Sequence, residues 1–289
     1  IPTGGSFSFD VIYDPRNRPG RFERNIFVAT NDSAEPITLK IFGRVEPRER
    51  TPYEIYPFDF GGGLRLQSNF HAFGYLEHGK EVEHRIGFVN TSKNWISVEL
   101  RPQRLSGYIQ VVMPERVAPD YKGDILLRYT LEEQNDVYGL LEDQFIFVVN
   151  GKDSYYPFSC QAIAVDNFDM VDDISAPRAD ISKKNIKFGD VNSDALPISA
   201  TLTITNTGEA PLVIRDIRCS SREVGCTLKA GTIVEPGATL ATEVILMPKR
   251  GMSEGALSEQ VAIVTDDPIT PYQVIRVTAT YKQIGQNKY

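Results

Sequence analysis

ATLTITNTGEAPLVIRDI, residues Ala200 to Ile217, reads as two short β-strands joined by a tight polar turn. Leu202 and Ile204 alternate with Thr201, Thr203 and Thr205, the period of two that gives a strand one buried face. Asn206, Thr207 and Gly208 break the run with residues that accept turn geometry cheaply. Leu212 and Ile214 then restart the alternation against Val213 and Arg215. The same device recurs at Ile86 to Leu100, IGFVNTSKNWISVEL, with Asn90-Thr91-Ser92 standing where Asn206-Thr207-Gly208 stands later. This is a folding unit, and nothing in it is chemical.

Composition sets the outer limits. A chain of 289 residues has room for two or three domains of ordinary size. With 41% hydrophobic and 24% charged residues it reads as an ordinary soluble globular protein rather than a disordered one. A net charge of −7 with no Lys/Arg-rich run sets the protein's own field against phosphate backbones, so nucleic acid is not an expected partner. No apolar run approaches the roughly 20 residues that span a bilayer. The chain opens Ile1-Pro2-Thr3 and reads as a trimmed or processed piece, with any targeting signal or lipid-anchor cysteine expected upstream. Three cysteines are too few to staple a fold of this size, and they leave the compartment open.

Residues 1–46 hold three strand signals. Phe7, Phe9, Val11 and Tyr13 alternate until Asp14-Pro15-Arg16-Asn17 ends the run; Phe22 to Thr30 and Ile37 to Val45 form the second and third. Three strands have too little to bury an apolar face against. An internal repeat accounts for them. Thr3-Gly4 followed by FSFDVIYDP matches Pro236-Gly237 followed by ATEVILMP, and Gly20-Arg21-Phe22 matches Gly255-Ala256-Leu257. NIFVATND matches QVAIVTDD, and ITLKIFGRV matches YQVIRVTAT, with one two-residue insertion after the proline. Residues 1–46 therefore read as the second half of a domain whose full form is residues 177–283. Its first half was cut away or is supplied by another chain as a complementing strand set.

Residues 52–166 read as a divergent second copy. Phe73-Gly74 parallels Phe188-Gly189, and strands are expected at Ile125 to Tyr129, Phe145 to Val149 and Phe158 to Val165. Residues 167–176, NFDMVDDISA, read as an acidic linker, semi-rigid because it lacks a Gly/Ser run, and residues 284–289 as a tail. No segment holds a 3.6-residue period over 11 positions; Leu131 to Leu141 comes nearest, and its Asn135 and Gly139 argue for a loop. Many short, turn-punctuated strands mean an all-β protein of tandem Ig-like antiparallel sandwiches, the first incomplete.

Residues 177–283 resemble the Ig-like domain of unknown function 1573 type found across exported proteins of Bacteroidota, a sandwich similar to those of Hydin and major sperm protein. The residues that carry the resemblance are Phe188-Gly189-Asp190-Val191, Asn206-Thr207-Gly208 with Pro211-Leu212-Val213-Ile214, Cys226-Thr227 and Pro236-Gly237. The family's Cys-Gly-Cys-Thr is altered here to Val224-Gly225-Cys226-Thr227. The likeness extends to residues 1–46 as a half copy and weakly to 52–166. It implies export to the periplasm or cell surface, with a role in assembly or binding.

Cys219 and Cys226 flank a loop, and an oxidising compartment would permit a disulfide worth about 2 kcal/mol; the alternative is two ordinary thiols. Cys160 alternates as a core residue. His71, His78 and His84 have no nearby cysteine and read as solvated surface residues, so no metal site is expected. Asp190-Val191-Asn192-Ser193-Asp194 opens like a calcium loop, but Ala195 and Thr201 stand where its glycine and bidentate glutamate belong. Asp166, Asp169, Asp172 and Asp173 of the linker either hold a calcium ion between domains or are solvated acids. Gly61-Gly62-Gly63 lacks the Lys-Ser/Thr of a phosphate loop, and no nucleophile motif occurs, so no enzyme and no cofactor is expected.

Tyr53, Tyr56, Phe58 and Phe60, with Tyr155, Tyr156 and Phe158, are either sandwich core or a surface that meets a partner or glycan. Trp95 is the residue expected at an edge contact, and Asp32-Ser33-Ala34 fits a short O-glycosylation acceptor. The expected function is a non-enzymatic subunit of an envelope or surface assembly that binds other proteins by strand addition or flat-face packing. The rival is a glycan-binding module or adhesin.

Overall fold

A strand with one apolar face buries it by stacking on a second sheet. The computed structural model describes residues 4–31, 35–192, 197–247 and 254–282. The acceptor triplet Asp32-Ser33-Ala34 and the Ser193–Ala195 end of the calcium-like loop lie outside the described residues.

Residues 1–55 form one unit. Strand β1 (Gly20–Val28) pairs antiparallel with β2 (Ile37–Val45), setting Phe22 opposite Gly43 and Ile26 opposite Leu39. A single helical turn, α1 (Pro52–Ile55), follows, and the Glu54 carboxylate caps it by accepting from the Thr51 amide and hydroxyl.

Residues 56–289 form the second unit, with two hydrophobic cores. The first core lies between β3 (Phe58–Gly61), β4 (Leu64–Leu66), β5 (Phe70–Glu77), β6 (Lys80–Asn90), β7 (Ile96–Arg104), β8 (Ile109–Val112), β9 (Arg116–Val117), β10 (Lys122–Leu131), β11 (Gly139–Val149), β12 (Lys152–Asp153) and β13 (Phe158–Val165). They make sheets of order β3-β4-β6-β10-β8 and β5-β13-β11-β7-β9, with β12 on β11. The second core lies between β14 (Ala179–Ile181), β15 (Asn185–Asn192), β16 (Ile198–Asn206), β17 (Leu212–Cys219), β18 (Val224–Cys226), β19 (Ile233–Val234), β20 (Thr239–Leu246), β21 (Gly255–Thr265) and β22 (Tyr272–Lys282). Their orders are β14-β16-β20-β18 and β15-β22-β21-β17-β19.

The two sandwiches share one strand order, to which the middle one adds β3 at an edge and β12 on β11. In each, one edge strand runs parallel to the last strand, β5 to β13 and β15 to β22, and the register slips at Gly74 or Gly189, both at positive φ (80° and 71°). Each also buries an asparagine where the chain crosses from one sheet to the other, at the end of β6 or β16. Asn90 donates to the carbonyls of Asn94, Val117 and Ala118; Asn206 donates to those of Ala210 and Val234. These amides satisfy carbonyls where strands turn from one sheet to the other, so the buried polar group costs little.

Three expectations are corrected. Residues 5–15 carry no strand. Their match, β20, is held between β16 and β18, and the first unit contains neither, so the segment has no ladder to join. Its alternation survives only in Tyr13, stacked on Phe22 at 3.9 Å. The last repeat match shifts by one residue, because Gly20 pairs with Val45 whereas Gly255 pairs with Tyr281. The strand read as Phe145 to Val149 starts at Gly139, within the stretch read as a loop. Among the described residues no helix is long and apolar enough to cross a membrane.

Candidate functional site

The polar chemistry of the second unit gathers where its two sandwiches meet. Tyr138 leads into β11, Asp166 follows β13, and Arg215 and Arg218 lie on β17. Asp166 accepts from Tyr138 Oη at 2.9 Å and from Arg215 Nε at 2.7 Å, while the Arg215 guanidinium stands 5.8 Å from the centre of the Tyr138 ring. Arg218 donates to the carbonyls of Leu140 (2.8 Å) and Tyr138 (2.6 Å) and to Asp216 at 2.7 Å. Gly139, at φ 81°, lets these chains approach; a Cβ there would stand 3.4 Å from Asp216 Oδ2 and from Val264 Cγ2.

Burial, and then the bond to Asp166, pushes the Tyr138 hydroxyl up to about 12. Burial also raises Asp266, although the Val213 amide it accepts from and nearby Arg215 oppose the shift. A cleft of about 410 Å³ opens beside the junction, lined by Asp136, Tyr138, Arg215, Asp216 and Arg218 among others. Both arginines in it are already bonded to protein acceptors, so the geometry fastens one sandwich to the other.

The linker joins this fastening. Asn167 donates to the His78 carbonyl, the Phe168 amide donates to Glu77, Lys80 pairs with Asp169, and Arg178 donates to the Asp173 carbonyl. Asp166 is thus an ion-pair partner of Arg215. Asp169 and Asp173 stay largely exposed, and Asp172 turns back on the Ile174 amide and Ser175. Among the described residues no three His, Cys, Asp or Glu side chains converge to hold a metal ion. Asp190 pairs with Lys282.

The histidines divide. His78 is buried, a correction to its reading as a surface residue: its Nε2 lies 3.1 Å from the Val137 carbonyl and its ring meets Tyr138 edge-on. The loop before β11 folds over the β5–β6 turn and covers it, a contact between residues far apart in the chain. His71 and His84 stack at 3.6 Å, and burial followed by the His84 charge holds His71 below the ordinary histidine range.

Cys219 and Cys226, considered as a bonded pair, are free thiols on strands of opposite sheets. Burial raises the Cys219 thiol, and the neighbouring Cys226 adds to the effect. Cys160 is buried, and burial pushes it up to about 12, which makes it an inert core thiol.

The aromatic group separates too. Phe60 and Phe158 are core, and Tyr56 is buried. Tyr156 meets Phe60 edge-on at 4.9 Å, so Tyr56 and Tyr156 do not present an open surface. Tyr53 lies in α1 of the first unit. Trp95 (59% exposed) and Tyr155 (82%) remain, with the Arg116 guanidinium 5.6 Å from the Trp95 ring centre. Trp95 sits in the β6–β7 turn, at the end of the middle sandwich opposite the junction, because β6 runs the length of that sheet.

Sequence reasoning missed the junction. Arg215 reads as the polar face of a strand and Arg218 carries no signal of its own, because nothing local distinguishes an arginine facing water from one facing a second domain.

Residues 179–283 match the model of a family described as a protein of unknown function, DUF1573. No curated protein matches the chain. Among solved structures, a protein of unknown function from Porphyromonas gingivalis W83 is similar at TM-score 0.53 and 17% identity, covering 76% of this chain and 100% of its own. A PapD-like domain of human CEP192 (TM-score 0.29, 12% identity, 38% of this chain and 87% of its own) and the YadV chaperone (0.27, 11%, 75% and 99%) are more distant. The chain is therefore a tandem β-sandwich protein whose last domain, residues 179–283, matches the DUF1573 family.

Proposed function

We propose that this protein is a non-enzymatic structural or interaction subunit, exported to the periplasm or cell surface, that takes part in an envelope or surface assembly. The observation that carries the reading is the junction: Tyr138, Asp166, Arg215 and Arg218 are engaged with one another and with backbone, and they fix two sandwiches as one body. A fixed pair of sandwiches suits a spacer that presents turns and edges at defined positions. The buried carboxylates are likewise structural. Asp143 accepts from Ser106 and Tyr129, and Asp267 from the Ala179 and Ile269 amides and the Thr270 hydroxyl. Trp95 and Tyr155, exposed and aromatic, are the contacts this reading assigns to a protein partner.

The test is cross-linking of the tagged protein in its native envelope, followed by purification and mass spectrometry. Stoichiometric protein partners, with cross-links near Trp95 or Tyr155, support the reading. A protein recovered alone overturns it and moves the assignment to glycan binding, to be measured with Trp95→Ala and Tyr155→Ala.

A further inference from the structure

A sheet edge displays a row of unpaired peptide groups, and natural sheets blunt their edges with charge, bulges or brevity. Among the described residues of the second unit, the edge strands follow that rule with one exception. β5 and β15 are bulged at Gly74 and Gly189. β3 is bulged as well and carries Asp59. β14 and β18 are three residues long, and β9, β12 and β19 two. β8 is the exception. It pairs with β10 without a slip in register, and Leu105 to Met113, LSGYIQVVM, holds no charge.

The Thr130 amide donates to the Tyr108 carbonyl at 3.0 Å. Peptide groups alternate along an antiparallel strand, so Tyr108, Gln110 and Val112 face β10 while Ile109, Val111 and Met113 turn theirs to the open side. The side chains of those last three are half-buried against the first core, and Gln110 and Val112 are exposed on the outer face. In the last sandwich the matching strand, β18, leans on β17 and β21 as well as on β20. β8 rests chiefly on β10, and beside it lies a groove of about 510 Å³ that Val98 and Leu100 of β7 line together with Val111 and Met113. The edge is open, apolar and straight.

We infer that β8 is a self-pairing edge: two copies of the protein join antiparallel through β8, about a two-fold axis at Val111, into one continuous sheet. Isologous pairing requires a strand that is complementary to itself. In this register Val111 lies opposite its own counterpart, Ile109 opposite Met113 and Gln110 opposite Val112. The outward peptide groups of Ile109, Val111 and Met113 then exchange about six N–H···O bonds. No like charges meet in the ladder, although each chain has a net charge of −7. The inward side chains of the second β8 extend the apolar row over the groove. A charge-free row offers nothing that would select a strand of another protein over its own copy. The inference rests on the reading of the protein as an interaction subunit and names a second copy as its partner.

The experiment is light scattering of the purified 289-residue protein from about 1 to about 100 μM, with amide hydrogen exchange at both ends of the range. The expected result is a concentration-dependent dimer in which the amides of Ile109, Val111 and Met113 exchange at least about tenfold more slowly than in the monomer. Gln110→Glu combined with Val112→Glu sets like charges opposite one another at two closely spaced pairs, and should weaken dimerisation at least about tenfold. Gln110→Lys combined with Val112→Glu sets opposite charges across the axis and should keep the dimer. Both positions are exposed, so the fold accepts these changes. Val111→Pro removes an outward N–H, spares the ladder to β10 and should also give monomer. A protein that stays monomeric throughout overturns the inference, as does a dimer that neither the double-Glu nor the Pro variant weakens. A monomer that cross-links to other proteins in the envelope overturns self-pairing in favour of a foreign strand, and leaves the interaction reading standing.

Discussion

Arg218 donates to the carbonyl oxygen of Tyr138 at 2.6 Å, so a side chain of the last sandwich closes the backbone of the middle one. The same guanidinium reaches the Leu140 carbonyl at 2.8 Å and is held in place by Asp216. A planar fork can serve three acceptors at once, whereas an ammonium cannot match that geometry.

Replacing Arg218 with Ala should lower stability by about 1–2 kcal/mol, since the group is half exposed, and should loosen the angle between the sandwiches. Arg218→Lys should restore little of either. Denaturant unfolding reads the first effect and small-angle scattering the second. An unchanged scattering profile for both variants would remove Arg218 from the fastening.

Gly208 faces a different constraint from the one its turn suggests. A Cβ there would lie 2.3 Å from the Ala176 carbonyl oxygen and 2.6 Å from the Arg178 amide, where the linker enters the last domain. In the middle sandwich the glycine is on the other side of the same contact: Ser92 fills the turn, and Gly63 has no room for a side chain beside it. Gly208→Ala should therefore cost about 1–3 kcal/mol through backbone displacement, while Gly231→Ala, with nothing within 4 Å, suffers only the strain of its positive φ. Their melting temperatures, measured side by side, check this.

Asn206 holds both the Ala210 and Val234 carbonyls and accepts from the Gly208 amide. Asn206→Ala leaves those buried groups without their partner and should destabilise by about 2–4 kcal/mol. Asn90→Ala should act alike in the middle sandwich, and differential scanning calorimetry of the two variants shows whether the domains melt together.

His71 titrates below its ordinary range because burial, and then the stacked His84 charge, disfavour its cation. The sign follows: a depressed folded pKa adds stability above the unfolded value, about 6.5, and that contribution is lost as pH falls through the folded one. His84→Gln should raise the His71 pKa and flatten this acid loss. Imidazole carbon shifts followed by NMR titration between pH 7.5 and 4.5 measure both, with the range chosen around the reference value.

The strands of both complete sandwiches were legible at Leu202, Ile204, Leu212 and Ile214 and at their counterparts, because period-two alternation is local and a sheet buries one face. The asparagine turn and the Phe-Gly match were legible as repeats, whereas the bulge at each Phe-Gly pair appeared only in the strand register. Of the repeat read at residues 1–46, the structure forms the hairpin of Gly20–Val28 with Ile37–Val45.

The sequence by itself therefore determined the all-β class and the repeating unit. Only the tertiary structure decided that Phe7 to Tyr13 forms no strand, because a strand exists by virtue of ladder partners that lie elsewhere. Only it placed His78 and Tyr56 inside, Tyr156 half-buried against Phe60, and Trp95 and Tyr155 outside, since exposure depends on which loops fold over a residue. And only it joined Arg215 and Arg218 to Tyr138 and Asp166, because a contact between side chains some 50 to 80 residues apart in sequence leaves no periodicity to read.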